Sequence, residues 1–234
     1  MKIVWTRPLV APHWYGIVSR RVLRWGMVGL FLFSLSFFIP ALDMETGASF
    51  GVGVQWIGGS DFEKYVEAAG METRNTSDFL YGLYFRVPLM NWKTLVFALR
   101  PEVQLMRPGG AGSGLNKELD VSSRVLHFPL SFEVHYPVNL GALYAFVGPS
   151  LNLFLTEIDS RLRTGNSEST FSQSPYYGVV TGIVAGGGYS VPLTSLSIIF
   201  EIRYTHTLTL VLKDKDTTFG GFYFLLGAGT PLKF

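Results

Sequence analysis

The stretch "GGFYFLLGAGTPLKF", Gly220 to Phe234, decides how the rest of the chain is read. Phe222, Phe224, Leu226, Ala228, Thr230, Leu232 and Phe234 share one parity, and Tyr223, Leu225, Gly227, Gly229, Pro231 and Lys233 share the other. A period of two belongs to a strand whose two faces differ, here one bulky and one rich in glycine. A chain that ends on such a strand, with an aromatic as its last residue, is expected to pair that strand with another.

The same alternation recurs upstream. Eight segments carry it: 44–56, 78–89, 95–106, 123–136, 142–155, 176–191, 197–212 and 220–234. In the fourth, Leu126, Phe128, Leu130, Phe132, Val134 and Tyr136 oppose His127, Pro129, Ser131, Glu133 and His135. In the seventh, Ile198, Phe200, Ile202 and Tyr204 oppose Glu201, Arg203 and Thr205, and only His206 interrupts the bulky face. No segment after Asp43 shows a sustained helical stripe. These strands exceed the five or six residues usual in water-soluble sheets and suit the ~9–11 tilted residues that cross a hydrocarbon layer.

The connections alternate in length. Long ones cover 57–77, 107–122 and 156–175; short ones lie near 90–94, 137–141 and 192–196; the last, near 213–219, is intermediate and very polar. Short turns on one side and long loops on the other mark an outer-membrane barrel, with both termini on the short-turn, periplasmic side. Composition agrees. Of the 234 residues, 48% are hydrophobic and only 15% charged, which excludes a disordered chain. There is no cysteine, and therefore no disulfide framework, thiolate metal site or cysteine nucleophile.

The choice between a water-soluble and a membrane barrel rests on which face is wet. The charged and small face holds Gly182, Gly186, Gly188 and Gly227 beside Tyr144, Glu201 and Arg203. A narrow eight-stranded interior has room for those residues but not for eight columns of Phe and Leu. The bulky face therefore points outward into lipid. The expected fold is all-β, an eight-stranded antiparallel up-and-down transmembrane β-barrel over residues 43–234.

Residues 1–42 form a leader. They carry Lys2, Arg7, Arg20, Arg21 and Arg24 and no acid, whereas the remainder holds 14 basic and 17 acidic residues. The overall charge of +2 thus belongs to the leader and is no argument for nucleic-acid binding. A basic cluster followed by an apolar run from Trp25 to Leu42 has the layout of a secretory signal peptide, here of Sec type. The run approaches the length of a membrane-spanning helix, but Ser34 and Ser36 interrupt it and Pro40 ends it, which favours the signal. The first 17 or so residues are unusual for an export signal: either its basic region is long or translation starts downstream of Met1.

The stretches "LRPEVQL" (Leu99–Leu105), "FVGPSLNL" (Phe146–Leu153), "GIVAGGGYSVP" (Gly182–Pro192), "FEIRYTHTLT" (Phe200–Thr209) and the last strand resemble those of small outer-membrane β-barrel domains, the PorT-type and OmpW- or OmpA-like barrels. That resemblance implies an integral outer-membrane location in a Gram-negative-type envelope. It does not imply one activity, because small barrels serve as anchors, adhesins, narrow porin-like pores and lipid enzymes. It also implies that Phe224, Leu226, Leu232 and Phe234 form a C-terminal signal read by the assembly machinery; the alternative for Phe234 is an interfacial aromatic anchor.

Arg86, Arg100, Glu102, Glu133, His135, Glu201, Arg203 and Lys233 fall on the inward parity. Unpaired charge in a confined lumen is costly, so these residues are expected to pair as a structural plug, or else to form a gate or selectivity constriction. His206 faces outward between Tyr204 and Leu208, and His127 and His135 have no serine nearby in sequence except Ser131, so no catalytic residue is expected. "PGGAGSG" (Pro108–Gly114) lacks the GK[ST] of a phosphate loop and reads as a flexible external loop. The expected function is a surface barrel, structural or adhesin-like, meeting an extracellular ligand or host molecule through 57–77, 107–122 and 156–175. A narrow channel for small or hydrophobic solutes is the alternative, and a lipid-modifying enzyme comes third. No cofactor, metal or nucleic-acid partner is expected; the lipid bilayer and the assembly machinery are.

Overall fold

The computed structural model describes residues 44–175, 178–209, 211 and 216–232. The expected leader, Lys233 and Phe234 lie outside them. In chain order the described elements are β1 (Met44–Gly58), α1 (Ser60–Ala68), β2 (Met71–Arg74), β3 (Thr76–Trp92), β4 (Leu95–Met106), β5 (Gly109–Gly114) and β6 (Lys117–Ser122). They continue with β7 (Val125–Val138), β8 (Gly141–Phe154), β9 (Ile158–Thr164), β10 (Ser167–Gln173), β11 (Val179–Pro192), β12 (Ser197–Thr207) and β13 (Thr218–Leu232).

Eight of these strands close into a barrel in the order β1-β13-β12-β11-β8-β7-β4-β3, each antiparallel to its neighbours. The seam between the first and last strands runs in continuous register from Met44↔Leu232 to Gly58↔Thr218. Closure leaves no unpaired edge, the condition for placing sheet in a medium that offers no hydrogen bonds. Along the seam Phe50, Val52 and Val54 point out, and Gly51, Gly53 and Gln55 point in.

The wall is inverted relative to a water-soluble protein. Phe224 is 63% exposed and Ile202 54%, with Phe50, Phe79, Leu83 and Phe200 similar, whereas Arg203 is 1% exposed and Glu133 fully buried. An exterior of Phe, Leu, Ile and Val around a charged interior is stable only with hydrocarbon outside. The fold is an eight-stranded transmembrane barrel.

Two of the expected strands are shorter than the alternation predicts. The sixth begins at Val179, after Gly178, and the seventh ends at Thr207, before Leu208 and Thr209, while 176, 177, 210 and 212 lie outside the described residues. At that end Thr207 Oγ1 accepts the Phe219 amide at 2.8 Å, so a side chain replaces the ladder and regular pairing stops.

The long connections are not open loops. Five short strands from them form a second sheet, ordered β10-β9-β6-β5-β2, beyond the barrel rim. The nine-residue helix α1, which has no counterpart in the sequence reading, buries Val66 against this layer. "PGGAGSG" is a correction of the same kind, since Gly109–Gly114 is β5, paired with β2 on one side and β6 on the other. Its glycines permit close approach rather than flexibility: a Cβ on Gly110 would lie 2.7 Å from Ile57 Cγ1 and one on Gly112 3.2 Å from Val66 Cγ1. An apolar cluster containing Ile57, Val66, Met71, Met106, Leu119, Val125, Ile158 and Phe219 joins this sheet and α1 to the barrel mouth.

The lipid-facing assignment predicts a position-dependent cost. Ile202→Lys, on the barrel exterior, should destabilise the barrel in lipid by about 2–4 kcal/mol if it lies near the bilayer midplane. Thr170→Lys, on the exposed second sheet, should change stability by no more than about 0.5 kcal/mol. Denaturant unfolding in lipid vesicles measures both.

Candidate functional site

The centre of the lumen is set by two short sequences of inverted charge order. β4 carries Arg100 then Glu102, and β12 carries Glu201 then Arg203. The two strands lie four places apart in the ring of eight, hence on opposite walls, and four antiparallel steps make them run the same way. Each Arg therefore meets a Glu across the lumen. Arg100 Nη2 lies 2.8 Å from Glu201 Oε2, and Arg203 Nη2 lies 2.8 Å from Glu102 Oε1. Each strand also pairs within itself: Arg100 Nε to Glu102 Oε1 at 3.0 Å and Arg203 Nε to Glu201 Oε1 at 2.7 Å. The result is a four-membered ring of alternating charge across the lumen.

A second tier lies on the short-turn side of this ring. Arg86 Nε meets Glu133 Oε2 at 2.7 Å, Arg86 Nη1 meets Glu45 Oε2 at 2.8 Å, and Arg100 Nη1 meets Glu133 Oε1 at 2.7 Å, which joins the tiers. His135 Nε2 lies 2.8 Å from Glu133 Oε2. Tyr144 donates its hydroxyl to Glu201 at 2.8 Å, and Tyr84 and Ser197 donate theirs to Glu45 at 2.7 and 2.8 Å. The Arg100 guanidinium also sits 4.8 Å above the Phe146 ring. Inward glycines leave space for these rings: a Cβ on Gly186 would lie 2.6 Å from Phe146 Cζ, and one on Gly188 2.6 Å from the Tyr144 hydroxyl. Multiple partners for every charge offset the desolvation that would otherwise expel the network from the interior.

Of the residues singled out in the sequence, the structure thus connects Arg86, Arg100, Glu102, Glu133, His135, Glu201 and Arg203, while Lys233 lies outside the described residues. Phe224 and Leu226 lie on the exterior, Leu232 pairs with Met44 at the barrel seam, and Phe234 is outside the described residues. Glu45, Tyr84 and Phe146 complete the network and were missed. Glu45 was legible, because it shares parity with Gly47, Ser49, Gly51 and Gln55. Phe146 was not, because an inward-pointing Phe breaks the small-and-polar pattern that identified the lumen.

Beyond the ring, toward the long-connection end, lies a polar level. Asn152 Nδ2 donates to the Val180 carbonyl at 3.2 Å, which directs its Oδ1 to His127 Nδ1 at 2.8 Å. Ser150 is two residues from Asn152, yet no hydrogen bond joins it to His127 among the described residues, so a nucleophile–base contact is not made. His206 stacks on Tyr204 at 6.2 Å on the outer face, with Trp56 and Phe222 beside Tyr204.

The ring should behave as a unit. Glu102→Gln or Glu201→Gln alone leaves a buried guanidinium short of a carboxylate and should cost about 3–5 kcal/mol. The double variant should depart from the sum of the singles by about 0.5–3 kcal/mol, measured by denaturant unfolding in lipid.

No family model matches the chain, and no curated protein sequence does either. Among solved structures, Neisserial surface protein A is similar at 13% identity over 83% of this chain and 100% of that one, with a TM-score of 0.44. OprG from Pseudomonas aeruginosa is similar at 14% identity over 83% and 97%, with a TM-score of 0.46. Ail, the attachment invasion locus protein of Yersinia pestis, solved with the heparin analogue sucrose octasulfate, is similar at 16% identity over 82% and 100%, with a TM-score of 0.37. By its own strand order, closure and apolar exterior, this chain is a small eight-stranded transmembrane β-barrel.

Proposed function

We propose that the protein is an outer-membrane barrel closed to solutes, whose task is to hold the second sheet above the membrane as a binding surface. The observation that carries this reading is the free edge at β10. Among the described residues this strand pairs only with β9, and all seven of its residues, Ser167 to Gln173, are exposed. It contains no proline and a single charge, Glu168. Exposed edges in globular proteins are usually blunted by charge, proline or a bulge, because their unpaired backbone groups recruit further strands. The expected ligand is an extended segment of another protein, added as a sixth strand, with main-chain hydrogen bonds supplying affinity.

Other functions have less support. Arg161 and Arg163, the basic residues on β9, lie beside Glu168 and Glu118, whose negative charge weakens the attraction of that sheet for a polyanion such as a sulfated sugar. A channel would need the ion-pair ring to part, and each of its four members is 7% exposed or less.

Two measurements test this proposal. Planar-bilayer recordings of the intact protein should show no steady conductance; a large, persistent current would refute the closed lumen. Peptides selected for binding to the reconstituted barrel should lose affinity when the 158–173 hairpin is replaced by a short turn, whereas unchanged affinity would refute the β10 edge.

A further inference from the structure

The register of the second sheet aligns its side chains into rows, each confined to one face. Across β6, β9 and β10, one face carries the rows Leu119–Leu162–Ser169 and Val121–Ser160–Phe171. The other carries Glu118–Arg163–Glu168 and Asp120–Arg161–Thr170.

The first face is apolar, and its cover fades toward the edge. α1 lies over the inner part, where Val66 approaches Gly112 and Phe62 packs on the same cluster. Leu119 and Val121 are buried, Leu162 is half-buried, and Phe171, last in its row, is 46% exposed. A strand added beside β10 would bring a side chain within about 5 Å of Phe171 and complete that row.

The second face is polar, and its charge alternates in sign from strand to strand. Arg163 lies 3.4 Å from Glu118 and 3.4 Å from Glu168, and Arg161 lies 3.1 Å from Glu168. Glu118–Arg163–Glu168 therefore runs negative, positive, negative, and its last member stands at the edge. An incoming strand meets Glu168 first. The β9 backbone that carries both arginines is two strand spacings away, roughly 10 Å, beyond the screening length of about 8 Å in physiological salt.

We infer that β10 receives an antiparallel strand with apolar side chains beside Ser169 and Phe171 and a lysine or arginine beside Glu168. The direction follows from the sheet, whose four strand pairs among the described residues are all antiparallel. Positions 168 and 171 lie on opposite faces, so the partner's basic residue comes three places after the one beside Phe171. The partner is a short extended segment of another protein, reading apolar, any residue, apolar, basic. This inference rests on the reading of β10 as a docking edge and adds what that edge selects.

The probe is a fluorescently labelled peptide, Thr-Thr-Val-Thr-Val-Lys-Thr, titrated by anisotropy into the full-length protein in phosphatidylcholine vesicles. Exchanging its lysine for glutamate should weaken binding about 3–10-fold, and exchanging both valines for serine about tenfold. In the protein, Glu168→Gln should abolish the preference for lysine and keep that for valine, and Phe171→Ser should do the reverse. Gel mobility of the unboiled barrel reports that each variant folds. Equal affinity of all three peptides, or preferences that persist in both variants, would overturn the inference. If that equal binding still vanishes when the 158–173 hairpin is replaced, the docking edge itself stands. Binding that survives hairpin replacement, or no binding by any peptide, would overturn the inference, and the former overturns the docking edge with it.

Discussion

Hydrocarbon offers a polypeptide backbone no hydrogen bonds, and most of this structure follows from that constraint. A sheet placed there must pair every strand on both sides, so β1 and β13 meet in a continuous fifteen-residue register. The requirement also explains why the exterior face is predominantly apolar while its irregular backbone lies at the two ends. Once the sheet closes on eight strands, the lumen is narrow, and its contents become a packing problem as much as an electrostatic one.

The solution combines glycine, aromatic rings and paired charge. Inward glycines on β11 create space that Tyr144 and Phe146 fill from β8, and those rings lie beside guanidinium groups. The charges do not occupy the lumen as isolated pairs. Glu133 contacts Arg86, Arg100 and His135, while Glu201 contacts Arg100, Arg203 and Tyr144, so removal of one member leaves several partners short. Such a network is a poor source of net stability, since desolvation consumes most of the Coulomb gain, but it holds opposite walls at a fixed separation.

Above the rim the medium is water again, and the rules relax. Strands of four to seven residues suffice because the apolar cluster around Ile57, Val66 and Leu119 anchors their sheet to the barrel mouth. Gln55 ties the two regions together: its amide donates to Asp78 at 2.7 Å and its carbonyl accepts from Gly109 at 2.9 Å. A strand edge without a partner among the described residues, impossible within the hydrocarbon, is tolerated here at β10. The free edge and the closed wall are the same sheet chemistry under two solvents.

The parity of side chains in eight segments was sufficient to determine the barrel, its inverted faces and most of its inward charges, because a period of two is a local property that one strand displays by itself. The second sheet was not legible, since strands as short as Met71–Arg74 are too brief to establish a period and the glycines of β5 imitate a flexible loop. Which Arg meets which Glu was decided only by closure. Arg100 and Glu201 are 101 residues apart, and nothing local to either says that β4 and β12 face each other across the lumen. The same holds for His127 and Asn152, whose bond depends on the β7–β8 register. Local pattern determines which way a side chain points; the ring order and register of the closed sheet determine what it finds there.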